Sequence, residues 1–174
     1  MKTLIKNGLL IDPANQVQAY LNLILEDGKV VAVTEEEPEA DRVIDATGKV
    51  VAPGFIDIHM HEDPVKDGKI EFCIFDAMLR MGVTTAVGGN CGINVYDPVK
   101  YLDMVEKDGA PVNVMLFAGH QYFREAAGAL DKYAPVTKEQ QEHMKKGLEK
   151  PLKQAVWEFP TDFAMFREQA VTNS

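Results

Sequence analysis

The chain has 174 residues, 46% of them hydrophobic, and a formal net charge of -9 at pH 7. This length allows one or two small domains, and the apolar content allows a packed core. The acidic balance argues against nucleic acids and anionic membrane surfaces as partners, since both are recognised through clustered basic residues.

The sequence also predicts where the protein works. Its start lacks the continuous apolar stretch of a secretory signal, because Asn7, Gly8 and Asp12 interrupt it. No run approaches the ~18 apolar residues of a membrane-spanning helix. Two cysteines, Cys73 and Cys91, are too few for a disulfide framework and favour a reducing compartment. We therefore predict a cytoplasmic protein with no membrane partner, whose reduced thiols are available as metal ligands.

The N-terminal part of the chain predicts a small β domain over residues 1–52. Short, largely apolar segments predict strands at residues 3–6, 9–12, 21–25, 30–33 and 49–52. Asp27-Gly28 between two of them is a strong hairpin signal, and Thr47-Gly48 indicates a further turn. No helical period is present, so we expect a β layer here.

After Pro53-Gly54 the pattern changes to strands that alternate with helices. Strands are predicted at residues 55–61, 83–87 and 112–118, and helices at 70–81, at 98–107 and from about Thr137 onward. Pro98 suits a first helical turn, and Thr137 with Gln140 matches a capping box. Three alternations of this kind are typical of a parallel sheet with crossover helices.

Unusual polar residues cluster at the C-terminal ends of these three strands: His59 and His61, then Cys91, then His120. In a (β/α) barrel, active sites are built at that edge. His59 and His61, two positions apart on the predicted strand, share one face, and two imidazoles on one face can converge on one or two metal ions. The alternative is a pair of hydrogen-bonded surface or core histidines.

Cys91 lies in the segment Gly-Gly-Asn-Cys-Gly, whose glycines let the backbone approach another group closely. It is either a metal ligand or a structural cysteine in a tight turn. Cys73, in the predicted helix, is expected to belong to the core. Glu62 and Asp63 either orient a ligating imidazole or simply begin a polar loop.

Two further side chains are candidates for substrate binding. His120 either faces a substrate or is a hydrogen-bonded loop histidine. Arg124 either pairs with a substrate carboxylate in two parallel hydrogen bonds or forms a surface ion pair. The sequence leaves both pairs of alternatives open.

Several segments carry a resemblance to a known family. Residues 51–61, Val-Ala-Pro-Gly-Phe-Ile-Asp-Ile-His-Met-His, resemble the amidohydrolase superfamily, as do the opening Leu-Ile-Lys-Asn-Gly and the Asp27-Gly28 hairpin. The block from Gly82-Val-Thr-Thr to Gly89-Asn-Cys-Gly, followed by Ala118-Gly-His, resembles the N-acyl-D-amino-acid deacylase (D-aminoacylase) branch. The resemblance covers about residues 3–150.

This resemblance implies an α/β fold, a (β/α)8 TIM-like barrel with a small composite β domain from both chain ends. It implies one or two divalent ions, preferably zinc, held by His59, His61 and Cys91, with Cys91 where related branches carry a carboxylated lysine. The implied reaction is hydrolysis of a linear amide in a small-molecule N-acylated D-amino acid. The metal would activate water and polarise the carbonyl, and a carboxylate late in the chain would act as base.

The sequence departs from that family in two respects. Residues 53–150 hold only the first three β/α units, whereas a TIM barrel typically needs ~250 residues, and the late carboxylate base has no counterpart. Residues 151–174 do not resemble the family, Pro151 interrupts a helix at a cost of ~3 kcal/mol, and residues 157–160 stand where a fourth strand is due. We hypothesise a reading-frame shift near residue 151, and expect a truncated, inactive chain that self-associates through an exposed sheet edge.

Two other functions stay open at this point. One is a cyclic amidase resembling dihydroorotases or hydantoinases, against which the Cys91 loop argues, because such sites usually carry a lysine. The other is a non-catalytic fragment that retains weak metal binding.

Overall fold

The computed structural model describes residues 1–154, and the chain divides into two compact units. One unit is Met1–Pro53 and the second begins at Gly54. Within the described part, no helix combines the length and apolar character needed to cross a membrane.

The N-terminal unit consists of two small sheets. Its strands are β1 (Lys2–Lys6), β2 (Leu9–Asp12), β3 (Val17–Tyr20), β4 (Asn22–Glu26), β5 (Lys29–Thr34), β6 (Arg42–Asp45) and β7 (Val50–Val51). One sheet has the order β5-β4-β1-β6 and the other the order β3-β2-β7. Pairing is antiparallel except between β1 and β6 and between β2 and β7.

The predicted hairpin between β4 and β5 is confirmed. Asp27 and Gly28 both have positive φ, 50° and 76°, which is the backbone of the two-residue turns that match strand twist. Leu4, Leu10 and Ile24 are buried in this unit. Strands β3 and β6 were not predicted, because their exposed positions weaken the apolar pattern that marks a strand.

The second unit contains five strands and four α-helices within the described residues. They are β8 (Phe55–Asp57), β9 (Val65–Lys66), β10 (Lys69–Ile70), α1 (Cys73–Arg80), β11 (Val83–Gly88), α2 (Pro98–Asp108), β12 (Asn113–Leu116), α3 (His120–Ala126) and α4 (Lys138–Gln154). Strands β8, β11 and β12 form a parallel sheet with β11 in the centre. Helix α1 connects β8 to β11, and α2 connects β11 to β12, so the predicted β/α alternation is confirmed.

The core of this unit lies between the sheet and its helices. Phe75 of α1, Tyr101 of α2 and Ala86 and Val114 of the strands are fully buried and belong to one apolar cluster. Helix α2 begins as predicted, with Pro98 in its first turn and the Asp97 carboxylate accepting from two backbone amides. The Thr137–Gln140 capping box before α4 is also confirmed by its two reciprocal hydrogen bonds.

Two predicted boundaries are wrong. The strand predicted at residues 55–61 ends at Asp57, because the Asp57 carboxylate accepts from the backbone N of His59 at 2.9 Å and turns the chain. The helix predicted from residue 70 begins at Cys73, since β9 and β10 form a hairpin around Asp67-Gly68. That Asp-Gly pair, with φ of 52° and 74°, is a sequence signal for a two-residue turn, although no hairpin was predicted there.

The C-terminal part of the described chain adds two differences. Helix α3 was not predicted, and β12 is shorter than the predicted strand at residues 112–118. Helix α4 continues through Pro151 to Gln154, although proline provides no amide hydrogen for the helix. The segment 157–160, expected at the place of a fourth strand, lies outside the described residues.

Candidate metal centre

The side chains of His59, His61 and Cys91 meet beyond the carboxyl ends of β8 and β11. Their potential ligand atoms all lie within 4.8 Å of one another, and all three residues are exposed. The Cys91 Sγ is 3.5 Å from the His59 Nε2, and the two imidazole centroids are 6.0 Å apart with the rings at 72°. Among residues 1–154, this is the one group of three or more such side chains.

The two histidines converge for a reason that differs from the predicted one. They lie in the turn after β8, so a continuous strand does not hold them on one face. Met60 between them is buried, and its backbone N donates to the Val87 carbonyl at 3.1 Å. With Met60 fixed against β11, both flanking imidazoles project on the exposed side.

Cys91 owes its position to an unusual backbone. It has φ 59° and ψ 15°, the left-handed conformation that costs a residue with a Cβ ~1–2 kcal/mol. Gly89 and Gly92 on either side also have positive φ, 75° and 72°. A Cβ on Gly89 would lie 2.2 Å from the Phe117 carbonyl oxygen, so glycine is required there. The predicted close approach of this loop to another backbone is therefore present.

Asn90 ties the cysteine loop to its surroundings. Its Nδ2 donates to the Val87 carbonyl at 2.8 Å and more weakly to the Met60 carbonyl at 3.4 Å. The second bond reaches the backbone between the two histidines. The loop that carries the thiol is thereby linked to the loop that carries the imidazoles.

The donor set of this cluster fits a zinc ion. Two imidazole nitrogens and one thiolate sulfur are ligands that zinc prefers, and three protein ligands leave a fourth position open, as in catalytic sites. With Zn–N near 2.0 Å and Zn–S near 2.3 Å, tetrahedral geometry separates sulfur and nitrogen by about 3.5 Å. The observed Sγ–Nε2 distance is 3.5 Å.

Glu62 and Asp63 form hydrogen bonds away from the imidazoles. Asp63 is fully buried, and its carboxylate accepts from the backbone N of Ile74 at 2.7 Å and of Phe75 at 2.9 Å, so it caps α1 from a distant position in the chain. Glu62, 7% exposed, accepts from the Asn94 Nδ2. Asn94 was not predicted as a site residue, since an asparagine in a loop gives no distinctive sequence signal.

The prediction that Cys73 belongs to the core is wrong. Cys73 is exposed at the start of α1, and its Sγ donates to the Asp63 carboxylate at 3.0 Å. This hydrogen bond, with burial and the Asp63 charge as further causes, raises the pKa of the Cys73 thiol. Cys73 does not belong to the group of three potential ligands, which consists of His59, His61 and Cys91.

The two predicted substrate-binding residues both lie in α3, the helix that follows β12. His120 is exposed at the start of α3, and a Cβ built on Gly92 would lie 3.8 Å from the His120 Cβ, so His120 borders the cysteine loop. The Arg124 Nη2 donates to the backbone carbonyls of Asp131 and Ala134. Arg124 therefore holds the loop after α3, and a substrate role for either residue stays a prediction.

Comparison with known proteins identifies the class. The sequence profile of the amidohydrolase family matches residues 42–136, more than half of the chain. The chain belongs to the amidohydrolase family.

Three relatives illustrate the similarity. The dihydroorotase of Elusimicrobium minutum is 42% identical over 88 residues, which are 49% of this chain and 20% of that protein. The structure of N-acyl-D-glutamate deacylase from Bordetella bronchiseptica, complexed with zinc and a phosphonate inhibitor, has a TM-score of 0.73 at 28% identity, covering 88% of this chain and 36% of the other. A D-aminoacylase structure has a TM-score of 0.68 at 25% identity, covering 83% and 35%.

These comparisons establish the fold of the chain and the share of its relatives' length that it covers. The predicted fold class is confirmed: the chain has the first three β/α units of a TIM-like barrel, preceded by β sheets. The chain spans about a fifth of the dihydroorotase and about a third of the two deacylase structures.

Proposed function

We propose that this chain forms the metal-binding part of a zinc-dependent hydrolase that cleaves linear amide bonds in small-molecule N-acylated D-amino acids. The observation that carries the proposal is the convergence of His59, His61 and Cys91, with ligand atoms within 4.8 Å of one another. His59 and His61 would bind through neutral ring nitrogens, and Cys91 as a thiolate. One or two divalent ions are compatible with this donor set.

A zinc ion held by His59, His61 and Cys91 would supply a water nucleophile at neutral pH and would polarise the amide carbonyl. The chain's own residues do the positioning. Asn90 anchors the loop that carries the thiol, and buried Met60 directs the two imidazoles outward. His120 borders the same loop and would face the substrate, with Arg124 fixing the segment that follows α3.

The preference for a linear amide rests on Cys91 and on the structural neighbours. A cysteine stands where cyclic amidases are expected to carry a lysine, and the two neighbours described above are an N-acyl-D-glutamate deacylase and a D-aminoacylase. The alternative is a cyclic amidase, because a dihydroorotase shares 42% identity over 88 residues.

The proposal also covers the domain organisation of the chain and its place in the cell. Residues 1–52 would belong to a composite β domain and residues 53–150 to the barrel. Both cysteines are free thiols, which suits the reducing cytoplasm.

Cobalt(II) titration of the 174-residue chain tests the metal site, because a thiolate ligand gives a near-ultraviolet charge-transfer band. We expect this band in the parent chain and in Cys73→Ser, and its loss in Cys91→Ser. His59→Asn should weaken binding, while His143→Asn, which changes an exposed histidine of α4, should not. A band that persists in Cys91→Ser would contradict the proposed site.

Binding of substrate analogues to the cobalt-loaded chain distinguishes linear-amide from cyclic-amide substrates, and it does not require turnover. A phosphonate analogue of an N-acyl-D-amino acid should shift the visible spectrum of the cobalt-loaded chain, and dihydroorotate should not. The reverse result would favour the cyclic amidase. Zinc should displace cobalt from the chain whichever substrate class is correct, since both ions accept this donor set.

A further inference from the structure

The side chain of Asn94 joins two other loops at the edge of the sheet. Asn94 is 4% exposed. Its Nδ2 donates to the Glu62 Oε1 at 2.6 Å, and its Oδ1 accepts from the backbone N of Gly119. Both ends of this buried amide are therefore engaged, each with a different loop.

Chemistry allows only one orientation of this amide. The Gly119 N–H can only donate, so it requires the Asn94 oxygen. The carboxylate oxygen of Glu62 accepts, so it requires the Asn94 NH2 group. An aspartate at position 94 could satisfy Gly119 but would place an oxygen against Glu62.

The three linked loops are those that carry the candidate site residues. Glu62 directly follows His61, Asn94 lies three positions after Cys91, and Gly119 directly precedes His120. A Cβ on Gly119 would lie 2.8 Å from the Asn94 backbone N and 2.8 Å from the Gly92 carbonyl carbon. The third loop therefore packs tightly on the cysteine loop, with Asn94 at the junction.

The hydrogen bond between Asn94 and Glu62 matters because both side chains are buried. The Glu62 Oε2 is also buried and has no hydrogen-bond partner among the described residues. The Asn94 bond to Oε1 is thus the hydrogen bond that the structure gives this carboxyl group. Removing it would leave a buried group unsatisfied and free the histidine loop to move away from the cysteine loop.

We propose that Asn94 is a positioning residue of the metal centre. It holds the cysteine loop against the histidine loop and the loop before α3, and so keeps the Cys91 sulfur near the two imidazoles. This inference rests on the metal site proposed above and adds to it a residue that does not touch the ion.

Asn94→Asp in the 174-residue chain is the first variant to test. It keeps the acceptor for Gly119 and replaces the donor to Glu62 by a carboxylate oxygen. Loss of a residue that supports metal ligands typically lowers affinity about 10- to 100-fold. We expect a reduction of that size in cobalt affinity, together with a weaker thiolate-to-cobalt band.

A swapped pair provides the rescue. In the double variant Glu62→Gln/Asn94→Asp, the new side-chain amide at position 62 would donate to the new carboxylate at position 94. The direction of the original hydrogen bond is thereby reversed, while the net charge stays equal to the parent's. Cobalt affinity and band intensity should return close to the parent values.

Asn113→Asp is the matched control, because it makes the same change at the opposite end of the sheet. There the Asn113 Nδ2 donates to the Thr84 carbonyl. This variant should leave cobalt binding unchanged.

The outcomes separate this inference from the proposed function. A parent chain without a thiolate-to-cobalt band overturns both. A parent with the band and an Asn94→Asp variant that binds cobalt equally well overturns only the role of Asn94. If circular dichroism shows that Asn94→Asp does not fold, the swapped variant decides: recovery of the band supports the role, and a weak band contradicts it.

Discussion

The hairpin turns and the cysteine loop of this chain place left-handed backbone on different kinds of residue. In the hairpin turns it falls on Asp27 and Asp67, at 50° and 52°, a residue type whose short polar side chain tolerates it. In the cysteine loop it falls on Cys91, at 59°, a residue type without that tolerance. In the first case the left-handed backbone reverses the chain direction between two paired strands. The second shows backbone strain at the residue whose thiol approaches the histidines, as is common at functional sites.

The largest expected difference concerns two glycines with nearly equal φ. Gly89→Ala should lower the free energy of unfolding by about 2–5 kcal/mol, because left-handed strain adds to overpacking of the new Cβ against the Phe117 carbonyl. Gly28→Ala meets nothing within 4 Å and should cost about 1–2 kcal/mol. Hydrogen exchange read separately for each unit measures both. Equal losses of unfolding free energy in the two variants would show that the cysteine loop rearranges around the new Cβ without cost.

Two capping aspartates provide the next comparison. Asp63→Ala should cost about 2–4 kcal/mol, because it leaves two backbone amides of α1 without an acceptor. Asp12→Ala, at an exposed turn of the N-terminal unit, should cost about 1 kcal/mol. Urea denaturation followed by circular dichroism gives the two values. A loss at Asp63 no greater than at Asp12 would argue against its role as the cap of α1.

Releasing the strain at Cys91 should have a smaller effect, of opposite sign. Cys91→Gly should stabilise the metal-free second unit by about 1 kcal/mol, because glycine adopts this backbone without penalty. It should also abolish the thiolate-to-cobalt band. Asp27→Gly in the N-terminal turn should change stability by only a few tenths of a kcal/mol, since aspartate is tolerated there. Thermal unfolding without metal tests both, and a destabilised Cys91→Gly variant would contradict this interpretation.

The smallest expected effect concerns titration near carboxylates. In the N-terminal unit, hydrogen bonds from the Thr47 hydroxyl and from Asn7 lower the pKa of Asp45. In the second unit, the Asp63 carboxylate raises the pKa of Cys73. The Cys91→Ser variant retains Cys73 as its single cysteine. In the folded variant, the rate at which iodoacetamide alkylates Cys73 should therefore rise at a higher pH than in the same variant unfolded in urea. Mass spectrometry measures the rates, and coincident pH profiles would refute the effect.

Local signals predicted much of the fold. The Asp27-Gly28 hairpin, the start of α2 at Pro98 and the Thr137–Gln140 capping box each depend on a few neighbouring residues. The order of strands and helices followed from apolar runs separated by turn residues. The grouping of the histidine pair with the cysteine followed from the rule that parallel strands end at one edge.

Features with weak local signals, and features that depend on distant contacts, were not predictable in this way. The strand before His59 ends early through a side-chain bond of Asp57, and α3 is a short helix of seven residues. Burial of Asp63 and Asn94 depends on partners far away in the chain. Polar residues in loops look alike in sequence, and only their three-dimensional partners distinguish a cap or a bridge from a solvated side chain.

The separation of the ligand residues along the chain has a consequence for biosynthesis. His59 and Cys91 are 32 positions apart, and His61 lies between them. Bringing the ends of so short a segment together has a modest entropic cost. Because many residues follow Cys91 in the sequence, all three side chains can leave the ribosome while later residues are still being added. A nascent chain would therefore already carry the proposed donor set, and binding of a metal ion at the proposed site would not require the finished chain.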